Sequence, residues 1–214
     1  MKKEIKVCLL DFDGTLVSED ILTLLCGING KLEESSKLND RFNRGELSGI
    51  DALIERINFL KGITKSQIIK LLDKDNYLMP GAKELIQFLK ENKVVTVLAS
   101  GNIQSVLEYY QKLLGIDYIV GSQPEMNGET IIGITQASYS SPRFKLDGIK
   151  AIITLMNLQK ENIIAIGDSP ADKEMFEISG YSIAFNPKGN IADFADVVVE
   201  GDLGKVVKLL KANH

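Results

Sequence analysis

Ile5-Lys6-Val7-Cys8-Leu9-Leu10-Asp11-Phe12-Asp13-Gly14-Thr15 is the stretch on which the fold turns. Four apolar residues in a row, Val7 to Leu10, do not alternate with polar ones, so Ile5 to Leu10 reads as a strand buried on both faces. Two acids follow at once. In an open α/β sheet the carboxyl end of such a strand is where ligands sit, so Asp11 and Asp13 are candidate site residues.

Outward from this stretch, further strand-like runs are Val94 to Ala99, Asn162 to Ile166, Tyr181 to Phe185 and Val197 to Val199. Helical patterns lie between them: Gly81 to Glu91 after Pro80, Asn102 to Leu114 with Gly115 as its stop, Leu146 to Leu158, and Pro170 to Ile178. Alternating strands and helices predict an α/β, doubly wound, Rossmann-like parallel sheet. Residues 18–78 break the pattern. They hold no convincing strand and read as several helices, one opened by the Thr64-x-x-Gln67 capping box, so they are expected to form a small helical cap inserted in a core of residues 1–17 and 79–214. Asn127-Gly128, within Asp117 to Tyr139, predicts a hairpin flap beside the main sheet.

The 214 residues carry a net charge of -4 and no basic block, which disfavours a nucleic-acid partner. Lys2 and Lys3 resemble the start of a signal peptide, but the apolar run after them ends at Asp11; no membrane segment is expected. Cys8 and Cys26 sit in apolar runs and make no disulfide framework, which points to a cytoplasmic setting. The one histidine is His214, at the terminus, so triads, Cys-His dyads and histidine metal sites are disfavoured. Catalysis is left to carboxylates, hydroxyls and lysines.

A second acid pair lies in Gly167-Asp168-Ser169-Pro170-Ala171-Asp172, where another buried strand ends in an aspartate and a helix begins. If Asp11, Asp168 and Asp172 share a pocket, each pair about 4 Å apart repels by roughly 4 kcal/mol at an effective dielectric near 20. Such a cluster calls for a cation. Oxygen ligands alone imply a hard ion, and Mg²⁺ suits a site with few carboxylates that binds a phosphate. The bland reading of Asp172 is a capping box with Ser169, with Pro170 as first helical residue.

Asp11-Phe12-Asp13-Gly14-Thr15-Leu16-Val17 resembles the first signature of the haloacid dehalogenase-like superfamily, most of whose members are phosphatases. Ala99-Ser100-Gly101 matches the second signature, Lys145 the third, and Asp168 with Asp172 the fourth. Lys150 competes with Lys145, but Lys145 precedes Asp168 by the spacing of phosphoserine phosphatase-like members. The resemblance implies that Asp11 is the nucleophile of an aspartyl-phosphate mechanism and Asp13 the general acid and base. It implies that Ser100, Lys145 and the amides of Phe12, Asp13 and Gly101 hold the phosphate. Mg²⁺ would be held by Asp11, Asp168, the Asp13 carbonyl and Asp172.

Asp20 and Arg56 resemble the cap residues that grip the amine and carboxylate of phosphoserine, and Asn102 stands near the same pocket, where the family has a glycine. By default Asp20 and Arg56 are solvated helix charges. The sequence departs from the subgroup at Gly14, Asp20, Gly49 and Asn102. L-phosphoserine therefore leads a wider set of small phosphomonoesters, acted on by a monomer or homodimer. A phosphotransferase or mutase of the same superfamily, and a receiver-like phospho-accepting switch, are the rival readings.

Overall fold

The structure is a computed structural model that describes residues 4–213; Lys2, Lys3 and His214 lie outside the described residues. Strand β1 (Val7–Leu10) is wholly buried and lies at the centre of a six-stranded sheet. Its alternation explains why no residue in it is polar. Cys8 and Leu10 pack into one apolar cluster with Leu85, Leu107 and Val206, while Val7 and Leu9 pack into another with Ile149, Met175 and Phe176. Each such fully buried side chain contributes about 1.5–3 kcal/mol.

A helical insertion follows β1: α1 (Ile21–Ile28), α2 (Leu32–Asn43), α3 (Gly49–Asn58) and α4 (Lys65–Leu72). The chain leaves and re-enters the core at adjacent points, for Ser18 N donates to Tyr77 O and Met79 N to Leu16 O. The expected capping box forms: Gln67 N donates to Thr64 Oγ1 at 3.3 Å, and Thr64 N to Gln67 Oε1 at 2.9 Å.

The core then runs through α5 (Ala82–Glu91), β2 (Val95–Ile103), α6 (Gln104–Leu114), β3 (Tyr118–Ser122), the hairpin β4 (Glu125–Asn127) and β5 (Thr130–Gly133), α7 (Phe144–Leu155), β6 (Ile163–Gly167), α8 (Lys173–Glu177), β7 (Tyr181–Phe185), β8 (Val197–Val199) and α9 (Leu203–Asn213). The sheet order is β3-β2-β1-β6-β7-β8, with every pair parallel. Gly115 closes α6 in the left-handed conformation, φ +67°, as its place after the last apolar residue predicts.

Three expectations are corrected. Tyr118 to Ser122 belongs to the main sheet as an edge strand, not to the flap. β2 continues through Ser100-Gly101-Asn102 to Ile103, so the next helix starts at Gln104 and not at Asn102; a register shift between Ala99 and Ile103 carries the irregular stretch. The hairpin turns at Asn127-Gly128 as expected, but it is bonded to the insertion: Gly62 N donates to Ile131 O, Ile131 N to Ile63 O, and Lys65 N to Glu129 O. Asn58 adds two bonds, Nδ2 to Ile134 O at 2.9 Å and Oδ1 from Ile134 N at 3.1 Å. Among the described residues, no helix is long and apolar enough to cross a membrane.

Candidate active site

The carboxyl ends of β1, β2 and β6 converge on one cavity of about 490 Å³ beneath the helical insertion. Asp11 extends β1 by one residue, its amide donating to Ile166 O of β6 at 2.9 Å. The chain then turns sharply through Gly14, φ +91°, where a Cβ would lie 2.1 Å from Asp168 Oδ2. Only glycine lets the two strand ends approach this closely.

Asp168 follows the last residue of β6, and Pro170–Asp172 forms one 3-10 turn before α8. Asp172 makes the capping box with Ser169 that the sequence suggested and also faces the acid cluster. Its Oδ2 accepts from the Asp168 amide at 3.0 Å and the Ser169 amide at 3.1 Å, while Oδ1 takes Lys145 Nζ at 2.7 Å. Lys145, near the start of α7, also reaches Asp11 Oδ1 at 3.0 Å. Its ammonium is thus fixed between two acids.

One oxygen from each of Asp11, Asp168 and Asp172 lies within 4.8 Å of the others, all three residues being buried. Burial, then the Asp172 charge, holds the Asp11 carboxyl well above the ordinary range, against Lys145. Burial pushes Asp168 up to about 6, with the Lys188 ammonium opposing it. Burial alone would lower the Lys145 pKa, but Asp172 and Asp11 outweigh it and raise it. Asp168 Oδ2 is buried without an aligned hydrogen bond, although Lys188 Nζ comes within 2.6 Å of it. Three clustered acids and an under-satisfied buried oxygen fit a hard divalent cation with oxygen ligands, which the two ammonium groups only partly replace.

Asp13 faces the other side of the turn. Its Oδ1 accepts from the Ile21 amide at the start of α1 at 2.8 Å, and Asn102 Nδ2 reaches Oδ1 and Oδ2 at 3.2 and 3.1 Å. Ser100 Oγ lies 3.4 Å from Oδ2 and also accepts from the Asn102 amide at 3.0 Å. Burial pushes the Asp13 carboxyl up to about 7, helped by the Asp20 charge and opposed by the Asn102 and Ile21 hydrogen bonds and by Arg56. Such a group can give and take a proton near neutrality. Phe12, between the two acids, points into the core and meets the Tyr110 ring edge-on at 5.0 Å.

Of the predicted site residues all but Phe12 and Asp172 line this cavity; Asp172 lies buried behind Lys145, the Phe12 side chain is in the core, and three of the lining residues take unexpected partners. Asp20 and Arg56 are paired to each other, Arg56 Nη2 donating to Asp20 Oδ1 at 2.6 Å. Asp20 caps α1 through the Thr23 amide, and Arg56 Nε donates to Ser35 Oγ at 3.0 Å. With Arg56 only 8% exposed, neither is a solvated surface charge. Asn102 is buried and spends its amide on Asp13 and on the Ile103 amide.

Sequence reasoning missed Lys188, which lines the cavity, and the ion pair Arg143–Glu174 at its wall. The signal for Lys188 was present, since Asn186-Pro187-Lys188-Gly189 follows β7 at its carboxyl end. The wall given by the insertion sets the apolar side chains of Leu22, Phe42, Ile50 and Leu53 beside the polar ones of Asp20, Asn39, Asn43, Ser48 and Arg56. A Cβ on Gly49 would come 3.0 Å from the Phe42 ring, so the aromatic on this wall is supplied by α2.

A model of the haloacid dehalogenase-like hydrolases matches residues 8–177. The chain is 28% identical over 207 residues to a phosphoserine phosphatase of Campylobacter jejuni subsp. doylei, covering 96% of this chain and 100% of that protein. It is 31% identical over 211 residues to that of Archaeoglobus fulgidus, where 97% of this chain spans 61% of the relative's length. It is 30% identical over 202 residues to that of Streptococcus thermophilus, covering 94% of both chains. Solved structures of a phospho-aspartyl intermediate analogue of phosphoserine phosphatase and of a substrate-bound phosphoserine phosphatase complex both superpose with a TM-score of 0.86, at 26% and 25% identity. Each alignment covers 97% of this chain and 99% of the other.

Proposed function

The chain belongs to the haloacid dehalogenase-like hydrolase family and is a phosphatase of that family; from that premise, we propose that it hydrolyses L-phosphoserine through an aspartyl phosphate on Asp11, with Mg²⁺ as its ion. The observation that carries the reading is the meeting of Asp11, Asp168, Asp172 and Lys145 at one end of the sheet, beside Asp13, whose carboxyl burial pushes up to about 7.

In this reading residues 18–78 are a cap that closes the site against bulk water. Asp11 Oδ attacks phosphorus in line, while Asp13 protonates the departing serine oxygen. Water then attacks the aspartyl phosphate and gives its proton to Asp13, which restores both carboxyl groups. Lys145, Ser100 and the amides of Phe12, Asp13 and Gly101 hold the phosphoryl oxygens. Asp11, Asp168, Asp172 and the Asp13 carbonyl would hold Mg²⁺, which when bound would supply charge that keeps Asp11 ionised and offsets that of the phosphate.

The Asp20–Arg56 pair supports the choice of substrate. An amino-acid end carries a carboxylate and an ammonium, so it replaces one internal ion pair by two: carboxylate to Arg56 and ammonium to Asp20. A second reading rests on the size of the cavity and the apolar side chains in its wall, which suit a bulkier phosphomonoester. We place the enzyme in the cytoplasm, where its two buried, unpaired thiols stay reduced.

Phosphate release from a panel of phosphomonoesters with Mg²⁺ separates these readings. L-phosphoserine should give the highest kcat/KM, chelator should abolish turnover, and Arg56→Ala should raise KM for phosphoserine while sparing p-nitrophenyl phosphate. Equal losses on both substrates would remove the amino-acid assignment. Transfer to glycerol or a sugar would move the enzyme to the phosphotransferases, and labelling without turnover to the switches.

A further inference from the structure

Lys188 has no part in the roles above, yet it is held at the acid cluster by backbone design. The turn after β7 begins at Asn186, φ +44°, whose amide donates to Val199 O. Asn186 Oδ1 accepts from the Gly201 amide at 2.8 Å and its Nδ2 donates to Gly201 O at 3.2 Å. Gly189, φ +58°, passes where a Cβ would come 2.9 Å from Pro170 Cγ. Between these anchors, the Lys188 amide donates to Asp168 O at 2.6 Å. The side chain then folds back and sets Nζ 2.6 Å from Asp168 Oδ2.

That oxygen is the buried one without an aligned hydrogen bond. It is also the oxygen above Gly14, where a Cβ would lie 2.6 Å from Lys188 Nζ. An ammonium therefore stands against the acid that a divalent ion must reach. Its side chain is 55% exposed, whereas that of Asp168 is 2% exposed. The cation can swing out to water; the acid cannot.

We propose that Lys188 is a tethered counter-ion which neutralises Asp168 in the metal-free enzyme and is displaced when Mg²⁺ binds, so that it lowers the affinity of the site for its ion. Lys188 is a positioning residue in this scheme. A divalent ion interacts with Asp168 about twice as strongly as an ammonium at equal distance, and an exposed lysine regains its hydration on leaving. The proposal rests on the reading of this cluster as the Mg²⁺ site.

Isothermal titration with Mg²⁺ tests it on the wild type, Lys188→Met and Lys188→Arg. Lys188→Met should bind Mg²⁺ about three- to fivefold more tightly, the scale of a partly exposed ion pair, and Lys188→Arg should stay near the wild type. Thermal denaturation in chelator should show a lower Tm for Lys188→Met than for the wild type, and Mg²⁺ should narrow that gap. In an Asp168→Asn background Lys188→Met should leave the metal-free Tm unchanged. Lys188→Gln replaces Lys188→Met if the latter does not fold. Unchanged or weaker Mg²⁺ binding by the neutral variant would overturn the counter-ion, as would an effect on Tm that persists in Asp168→Asn. Absence of Mg²⁺ binding to the wild type would instead remove the metal-site reading.

Discussion

Lys145 Nζ lies 3.0 Å from Asp11 Oδ1, joining residues 134 apart in the chain, and the same ammonium is 2.7 Å from Asp172 Oδ1. The Lys145 side chain is 16% exposed and that of Asp172 is 0% exposed, so loss of the cation leaves acids that water reaches poorly. Lys145→Met should cost about 3 kcal/mol of metal-free stability, read by urea denaturation in chelator. Turnover should fall by roughly a hundredfold or more, in kcat rather than KM, because the cation that stabilises charge on the phosphoryl oxygens in the transition state is removed. A variant as stable and as active as the parent would refute this.

The raised acids make a signed prediction about pH. A carboxyl whose folded pKa lies above its unfolded value favours folding when protonated, and that contribution is lost as pH rises through the folded pKa. Unfolded aspartate titrates near about 4, while Asp168 and Asp13 are pushed up to about 6 and about 7. In chelator, Tm should therefore fall between pH 5 and pH 8, on the order of several degrees. Saturating Mg²⁺ should flatten the slope. A metal-free Tm that climbs over this interval would contradict the assignment.

Gly14 gives a steric test. Its φ of +91° and the 2.1 Å approach of a Cβ to Asp168 Oδ2 leave no room for a side chain. Gly14→Ala should push Asp168 aside, weaken Mg²⁺ binding by more than about tenfold and lower stability by about 1–3 kcal/mol. Titration calorimetry and denaturant melts on the same sample check both. Parental affinity in this variant would mean that Asp168 is not a ligand.

Arg56 is built into the insertion as well as facing the cavity. It bonds Asp20, Thr23 and Ser35, from α2 and from the start and first turn of α1. Arg56→Ala should destabilise the protein by about 3 kcal/mol by leaving Asp20 unpaired. Arg56→Lys should recover less than half, because an ammonium cannot reproduce the guanidinium fork. Chemical denaturation in Mg²⁺ distinguishes the two.

The strands that frame the site were legible because burial on both faces leaves only apolar residues, as in Val7 to Leu10 and Ile163 to Ile166. Asp11 and Asp168 were legible because polar residues end those runs. Tyr118 to Ser122 was not, since an edge strand is partly exposed and its alternation is weak. The extension of β2 through Ser100 to Ile103 was hidden by Gly101-Asn102, which read as a turn and a helix start. The place of Lys188 after β7 was open to reading, but its pairing with Asp168 and that of Asp20 with Arg56 are tertiary contacts across 20 and 36 residues, a distance at which local pattern carries no information about partners.

Asn58 holds the last residue of α3 to the flap, whereas Gly49, at the other end of the helix, faces the cavity. A rod of 10 residues is about 15 Å long. A pivot of about 10° about the bonded tip would shift the far tip by roughly 2–3 Å over such a length.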